Sequence, residues 1–216
     1  MNILKRYGFY FLLAGVISDF LTPYVLGVFY PQLDQMTSVM SLFGDVDSPV
    51  RQAFLIWSVV AGCFYVLALP ALYTAFKPTS HRLAGLAVLA IGAYGIGDCI
   101  FTGLFSVDSA DAQWSFSTWV HNIGSSIGYA GFLFFPLILF FLYRVQKEQM
   151  SRRYLSLFCL SIAVAAIYGL ARLPQLNQFV VFKQLGFWQR LSFIFNYLPI
   201  VYLAMTQLKK RKRLNN

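Results

Sequence analysis

Residues 83–105 read LAGLAVLAIGAYGIGDCIFTGLF, twenty-three residues with five glycines and a single charge, Asp98. About 20 apolar residues suffice to cross the hydrocarbon layer of a bilayer. Lipid offers the backbone no hydrogen-bond partner, so such a run must be helix rather than open strand. Five more runs flank it, at 7–28, 53–76, 119–143, 154–173 and 188–208. The whole chain is 58% hydrophobic and only 12% charged, with a mean hydropathy of +0.63. A soluble domain carries about 25% charged residues, so water is not the main solvent here. The expected fold is all-α, a polytopic membrane protein in which 1–216 form one domain, a bundle of six transmembrane helices with no linker between them.

The joints between runs sort the charge. Lys5 and Arg6 precede the first run, and Lys77 and Arg82 occupy the second joint. The fourth joint holds Arg144, Lys147, Arg152 and Arg153, and Lys209, Lys210, Arg211, Lys212 and Arg213 follow the last run. Thirteen of the seventeen basic residues thus fall on one side, against Arg51, Arg172, Lys183 and Arg190 elsewhere. Of the eight acids only Glu148 joins the thirteen. Cytoplasmic loops carry the excess of Lys and Arg. This predicts a multi-pass protein of the cell membrane with both termini cytoplasmic (N-in/C-in) and the long first joint outside. The basic tail is expected to touch anionic lipid headgroups, which explains the net charge of +9 without nucleic acid as a partner. The first run, with Asp19 and Pro23 inside it and no A-x-A site after it, is expected to be retained rather than cleaved. Cys63, Cys99 and Cys159 all lie inside runs, where they read as packing residues rather than a disulfide framework.

The interiors of the runs carry two kinds of feature. Pro70, Pro136 and Pro199 each interrupt an even-numbered run, where a proline frees a carbonyl for a neighbouring helix. Gly124 and Gly128 form a small-xxx-small face, which lets the fourth helix approach the glycine-rich third closely. Asp19, Asp98 and Arg172 are ionisable groups at membrane depth, which cost at least about 2.5 kcal/mol each and should face the interior and find a partner. Arg172 is expected to pair with Asp98 or Asp19. His121, Asn122, Ser125 and Asn196 reach the same depth, and Tyr24, Tyr94, Tyr129 and Tyr168 are available to hydrogen-bond around them. Asp108 and Asp111 lie just above, in the third joint.

These groups admit two arrangements. One is a structural ion-pair network. The other is an outward pocket lined by Asp19, Asp98, His121, Asn122, Ser125, Tyr129, Arg172 and Asn196. The first joint, 29–52, is longer than ordinary loops. It is expected to form a short helix that roofs the mouth over 37–47, with Ser41, Gly44, Asp45 and Asp47 in it. Ser48 then reads as the N-cap of the second helix and Pro49 as its first residue.

Two stretches carry a resemblance. Ser41-Leu-Phe-Gly44 followed by Pro49, and Phe105-Ser-Val-Asp108 followed by His121, resemble the domain-of-unknown-function 998 (DUF998) family of six-span bacterial and archaeal membrane proteins. Ser106 stands where that family often has proline. The resemblance implies an integral membrane protein and assigns no activity.

Three functions fit the residues. One is a lipid- or small-ligand-binding protein serving as sensor, accessory factor or carrier. The second is a membrane-embedded hydrolase acting on a lipid, with Asp98 and His121 as candidate catalytic groups. The third is a small proton-coupled exporter using Asp19 and Asp98. Neither a P-loop nor a dinucleotide-binding pattern occurs, and no cofactor is expected. With His81 at the opposite side, His121 is the one histidine available to the polar cluster, so no metal is expected either.

Overall fold

The computed structural model describes residues 2–109, 113–176 and 178–215. Six long helices account for most of them: α1 (Asn2–Phe29), α2 (Arg51–Phe76), α3 (His81–Leu104), α4 (Phe116–Val145), α5 (Met150–Ala171) and α6 (Leu185–Asn215). No strand occurs among the described residues. All six helices are long and apolar enough to cross a membrane. Each contains one of the six apolar runs, except that α3 and α5 end one or two residues early.

Neighbouring helices pack in sequence, α1 on α2 through to α5 on α6, and α6 returns to α1 to close a ring. Both termini therefore emerge at one end of the bundle, where Arg211 Nη1 donates to Arg6 O at 2.7 Å. We call this the terminus end and the opposite one the loop end. Large apolar side chains such as Ile56, Leu89, Ile127 and Leu160 are exposed on the outside, while Ser58, Thr118, His121, Ser161, Ser192 and Asn196 are buried inside. A water-soluble bundle would show the reverse. In hydrocarbon this is the stable arrangement, because polar groups find partners only within the protein.

Local chemistry explains the helix ends. Ser80 caps α3 by accepting from Leu83 N, and Ser115 caps α4 by accepting from Thr118 N. α4 closes with Lys147 in the left-handed region, φ 56°. Glu148 N donates to Tyr143 O and Lys147 N to Arg144 O, the paired bonds of a Schellman end. The expected cap of α2 is corrected. That helix starts at Arg51 with Val50 before it. The Ser48 hydroxyl instead accepts from Val50 N at 3.3 Å, because Ser48-Pro49-Val50 forms a turn that must close before the helix begins.

The prolines act as expected where a partner is seen. Pro199 leaves the carbonyl of Phe195 without its helical donor, and Ser161 of α5 donates to it at 3.2 Å. The glycine seam also forms. A methyl on Gly97 would stand 2.5 Å from Gly124 O, and one on Gly128 would stand 2.6 Å from Asp98 N, so α3 and α4 touch backbone to backbone.

The middle of α3 was not legible in the sequence. Tyr94–Phe101 is π-helical, eight residues wound more widely than the flanking α-helix. Thr102 ends it, donating to Asp98 O at 2.6 Å and Cys99 O at 3.0 Å, the carbonyls stranded where the wide turn reverts to α-helix.

Candidate ligand cavity

At the loop end the ring encloses a cavity of about 440 Å³ to which every helix contributes. α1 supplies Asp19, Thr22 and Pro23; α2, Phe54 and Ser58; and α3, Asp98, Cys99 and Thr102. α4 lines it with His121, Asn122, Ser125, Ser126 and Tyr129. The other wall is Ala165, Tyr168 and Gly169 of α5, Arg172 just past its end, and Gln189 and Phe193 of α6. Met40 and Ser41 of the first joint and Trp114 of the third complete the rim. Towards the terminus end a packed layer closes the floor, with Tyr94 stacked on Phe132 at 4.0 Å and Phe193 and Tyr197 against them. Below that layer lies a continuous apolar core from Leu12 and Leu72 to Leu139 and Leu203.

The two carboxylates sit in different surroundings. Asp19 Oδ2 accepts from the hydroxyls of both Tyr94 and Tyr197, the latter at 2.9 Å. These two phenols anchor α1 to α3 and α6. Asp98 makes no hydrogen bond and no salt bridge through its side chain to any described residue. It projects from the π-helical turn, where the wider winding displaces side chains from the α-helical register, a feature concentrated at functional sites. His121 donates from Nδ1 to Phe105 O at 2.8 Å, which leaves Nε2 as its second polar atom. The Ser125 hydroxyl donates to Asn122 O at 3.2 Å, so Ser125 and His121 are not assembled as nucleophile and base. Tyr129 is bonded to Ser192 across α4 and α6. No three His, Cys, Asp or Glu side chains among the described residues stand where they could hold one metal ion.

The expected Arg172 pairing is corrected. α5 ends at Ala171, so Arg172 lies at the rim rather than inside the span, exposed to solvent. Its Nη2 donates to the Tyr168 hydroxyl and its guanidinium lies 4.8 Å from the centre of that ring. It makes no ion pair with Asp98 or Asp19, and acts on Asp98 only across the cavity. Arg190, which the sequence placed only among the four basic residues away from the terminus end, holds the structural role instead. It is buried, and Nη1 donates to Gln35 O, Ser38 O and Gly186 O at 2.7–3.0 Å, fastening the first joint to α6.

Two more expectations change. Asn196 does not line the cavity. Its amide is sealed behind the wall beside Tyr129, because α6 turns Gln189 and Phe193 inward instead. The roof is narrower than expected. Its 3₁₀ turn, Met40–Gly44, brings Met40 and Ser41 to the cavity, with Gln189 Oε1 accepting from Met40 N at 2.7 Å. Gly44, Asp45 and Asp47 point elsewhere. Asp45 is buried and accepts from Asp47 N and Ser109 N, which ties the first joint to the third, while Asp47 is exposed. Tyr24 is exposed and away from the cavity, and Asp111 lies outside the described residues. Reading the sequence missed Tyr197 and Gln189. Both are on the Gln189–Phe193–Tyr197 stripe of i, i+4 spacing, which was the available signal.

Comparison with curated proteins and with solved structures gave no match. The family model described as protein of unknown function (DUF998) matches residues 13–206, which takes in four helices whole, most of α1 and α6, and every residue of the cavity, and this multi-pass membrane protein belongs to that family.

Proposed function

We propose that the protein binds a lipid or small ligand in this cavity, as a sensor, accessory factor or carrier, and that the cavity faces outward from the cell membrane. The observation that carries the proposal is Asp98, a carboxylate with no side-chain hydrogen bond or salt bridge to any described residue, lining a cavity that all six helices surround. An ionisable side chain in a span costs at least about 2.5 kcal/mol and is kept where something uses it. The volume, about 440 Å³, falls within the roughly 300–1,000 Å³ of ordinary ligand sites. The packed aromatic floor favours binding over passage through the bundle. The thirteen basic residues at the terminus end support the outward orientation.

The test is a plug. Gly169 lines the cavity, and an added Cβ there has no atom within 4 Å, so Gly169→Phe should fold and fill the space. Native mass spectrometry of the full-length protein should show lipid or ligand retained by wild type and lost from Gly169→Phe. Equal retention by both proteins would end this reading.

A further inference from the structure

We infer that the cavity selects a zwitterionic head, with an amine seated at Asp98 and a phosphate or carboxylate at Arg172. This inference rests on the ligand-binding reading above and adds the class of ligand. The starting observation is that two opposite charges share one cavity and do not meet. Arg172 is held at the rim by Tyr168, through a hydrogen bond and through stacking at 4.8 Å. Asp98 is held on the facing wall by the π-helical turn. Neither has another ionic partner in contact among the described residues. A carboxylate at membrane depth gains by closing on a guanidinium within reach, so an arrangement that props Asp98 and the rim Arg172 apart leaves room for a group that satisfies both.

The chemistry at each end is distinct. With Nη2 committed to Tyr168, the remaining guanidinium N–H groups of Arg172 are available for the forked recognition of phosphate or carboxylate. Ionised, Asp98 offers only acceptor oxygens, and these suit a donor that is also a cation and so holds the carboxylate in that form. Asp19 competes less for that cation, because two phenols already donate to its Oδ2. The two seats also differ in depth. Asp98 lies six residues short of the end of α3 at Leu104, whereas Arg172 follows the last residue of α5. The amine seat, inside a span, is thus deeper in the bundle than the anion seat at the rim. A head that enters amine first, with its anion behind, matches this order. Ethanolamine phosphate has that sequence of charges, either as a phospholipid headgroup whose chains stay in the bilayer or as a free soluble molecule.

Competition binding to the full-length protein tests this. Phosphatidylethanolamine and phosphatidylglycerol are offered together in detergent and scored by native mass spectrometry, and soluble phosphoethanolamine and glycerol phosphate are compared by thermal shift. Wild type should prefer the amine-bearing member of at least one pair roughly tenfold, the size of one charge-assisted hydrogen bond. Asp98→Asn should reduce that preference to near parity while keeping the glycerol-headed ligand. Arg172→Gln should weaken both members together. Preference within the lipid pair alone identifies a headgroup as the source, and preference within the soluble pair a free zwitterion. Parity in both pairs for wild type overturns the inference, and so does a preference that survives Asp98→Asn. Because the wild-type competition needs no variant, a misfolded Asp98→Asn would still leave a decisive result. If wild type binds both lipids equally and Gly169→Phe binds neither, ligand binding stands and only the zwitterion class falls.

Discussion

The contact between α3 and α4 can be tested with one methyl group placed at two glycines. Gly128→Ala puts a Cβ 2.6 Å from Asp98 N, 2.7 Å from Asp98 Cβ and 3.0 Å from Ala93 O. Ordinary contact begins near 3.4 Å, so the backbones must separate by roughly 0.8 Å, and backbone atoms have no rotamer to turn away. Overpacking of this kind costs about 1–3 kcal/mol, while replacing a helical glycine by alanine returns about 0.5–1 kcal/mol. The net expectation is a loss of up to about 2.5 kcal/mol, near 1 kcal/mol at the middle of the two ranges. Gly85→Ala is the control, since a Cβ there meets nothing within 4 Å and only the gain of about 0.5–1 kcal/mol remains. The two variants should therefore move in opposite directions in thermal melting of the purified protein in one detergent. Gly128→Ala should also loosen ligand retention, because its clash falls on the residue that carries the cavity carboxylate. If Gly128→Ala melts at or above Gly85→Ala, the backbones do not meet as described, and the π-helical turn is not held by α4.

Three further outcomes are expected. Lys147→Gly should raise stability by about 1 kcal/mol, because φ of 56° strains any side chain and glycine relieves it; a drop in the melting temperature would refute the Schellman end. Arg190→Met should destabilise more than Arg172→Met, since it removes three carbonyl contacts and frees the first joint from α6, whereas the Arg172 side chain is bonded among the described residues to Tyr168 alone. Protease cleavage within the first joint reports this ordering, and equal cleavage of the two variants would contradict it. A reporter fused after Asn216 should be active only in the cytoplasm, and activity outside would place the cavity on the cytoplasmic face.

The helices were legible because membrane solvent imposes one requirement, an unbroken apolar run, and the chain meets it six times. What surrounds Asp98 was less legible. Its depth could be counted along α3, and so could its neighbours Asp19 and His121, because depth follows from position alone. Arg172 could be counted too, but its partner could not. Two residues of difference between a span ending at 173 and a helix ending at Ala171 with Arg172 beyond it decide whether a guanidinium must find a carboxylate or can rest on a tyrosine at the rim. Asn196 failed for an angular reason. It has the right height on α6, but Gln189, Phe193 and Tyr197 form the stripe that faces inward.

The π-helical turn draws these observations together. A wide turn has no local reason to persist in a span, since the π-helix is rare and occurs mostly as single turns at functional sites. Here three neighbours hold it. Gly97 sits against Gly124 O, Asp98 N lies where a Gly128 side chain would be, and Thr102 bonds the carbonyls at its exit. Each of these contacts spends a residue with little apolar surface at a place where leucine would cross the membrane equally well. The result of that expense is the placement of one carboxylate, Asp98, in a cavity where no described side chain bonds to it. A protein that needed only a stable bundle would have straightened α3 and replaced Asp98 with an apolar residue, relieving the glycine seam and the buried charge together. The three supports make sense as one device if the carboxylate is there to meet something from outside the chain.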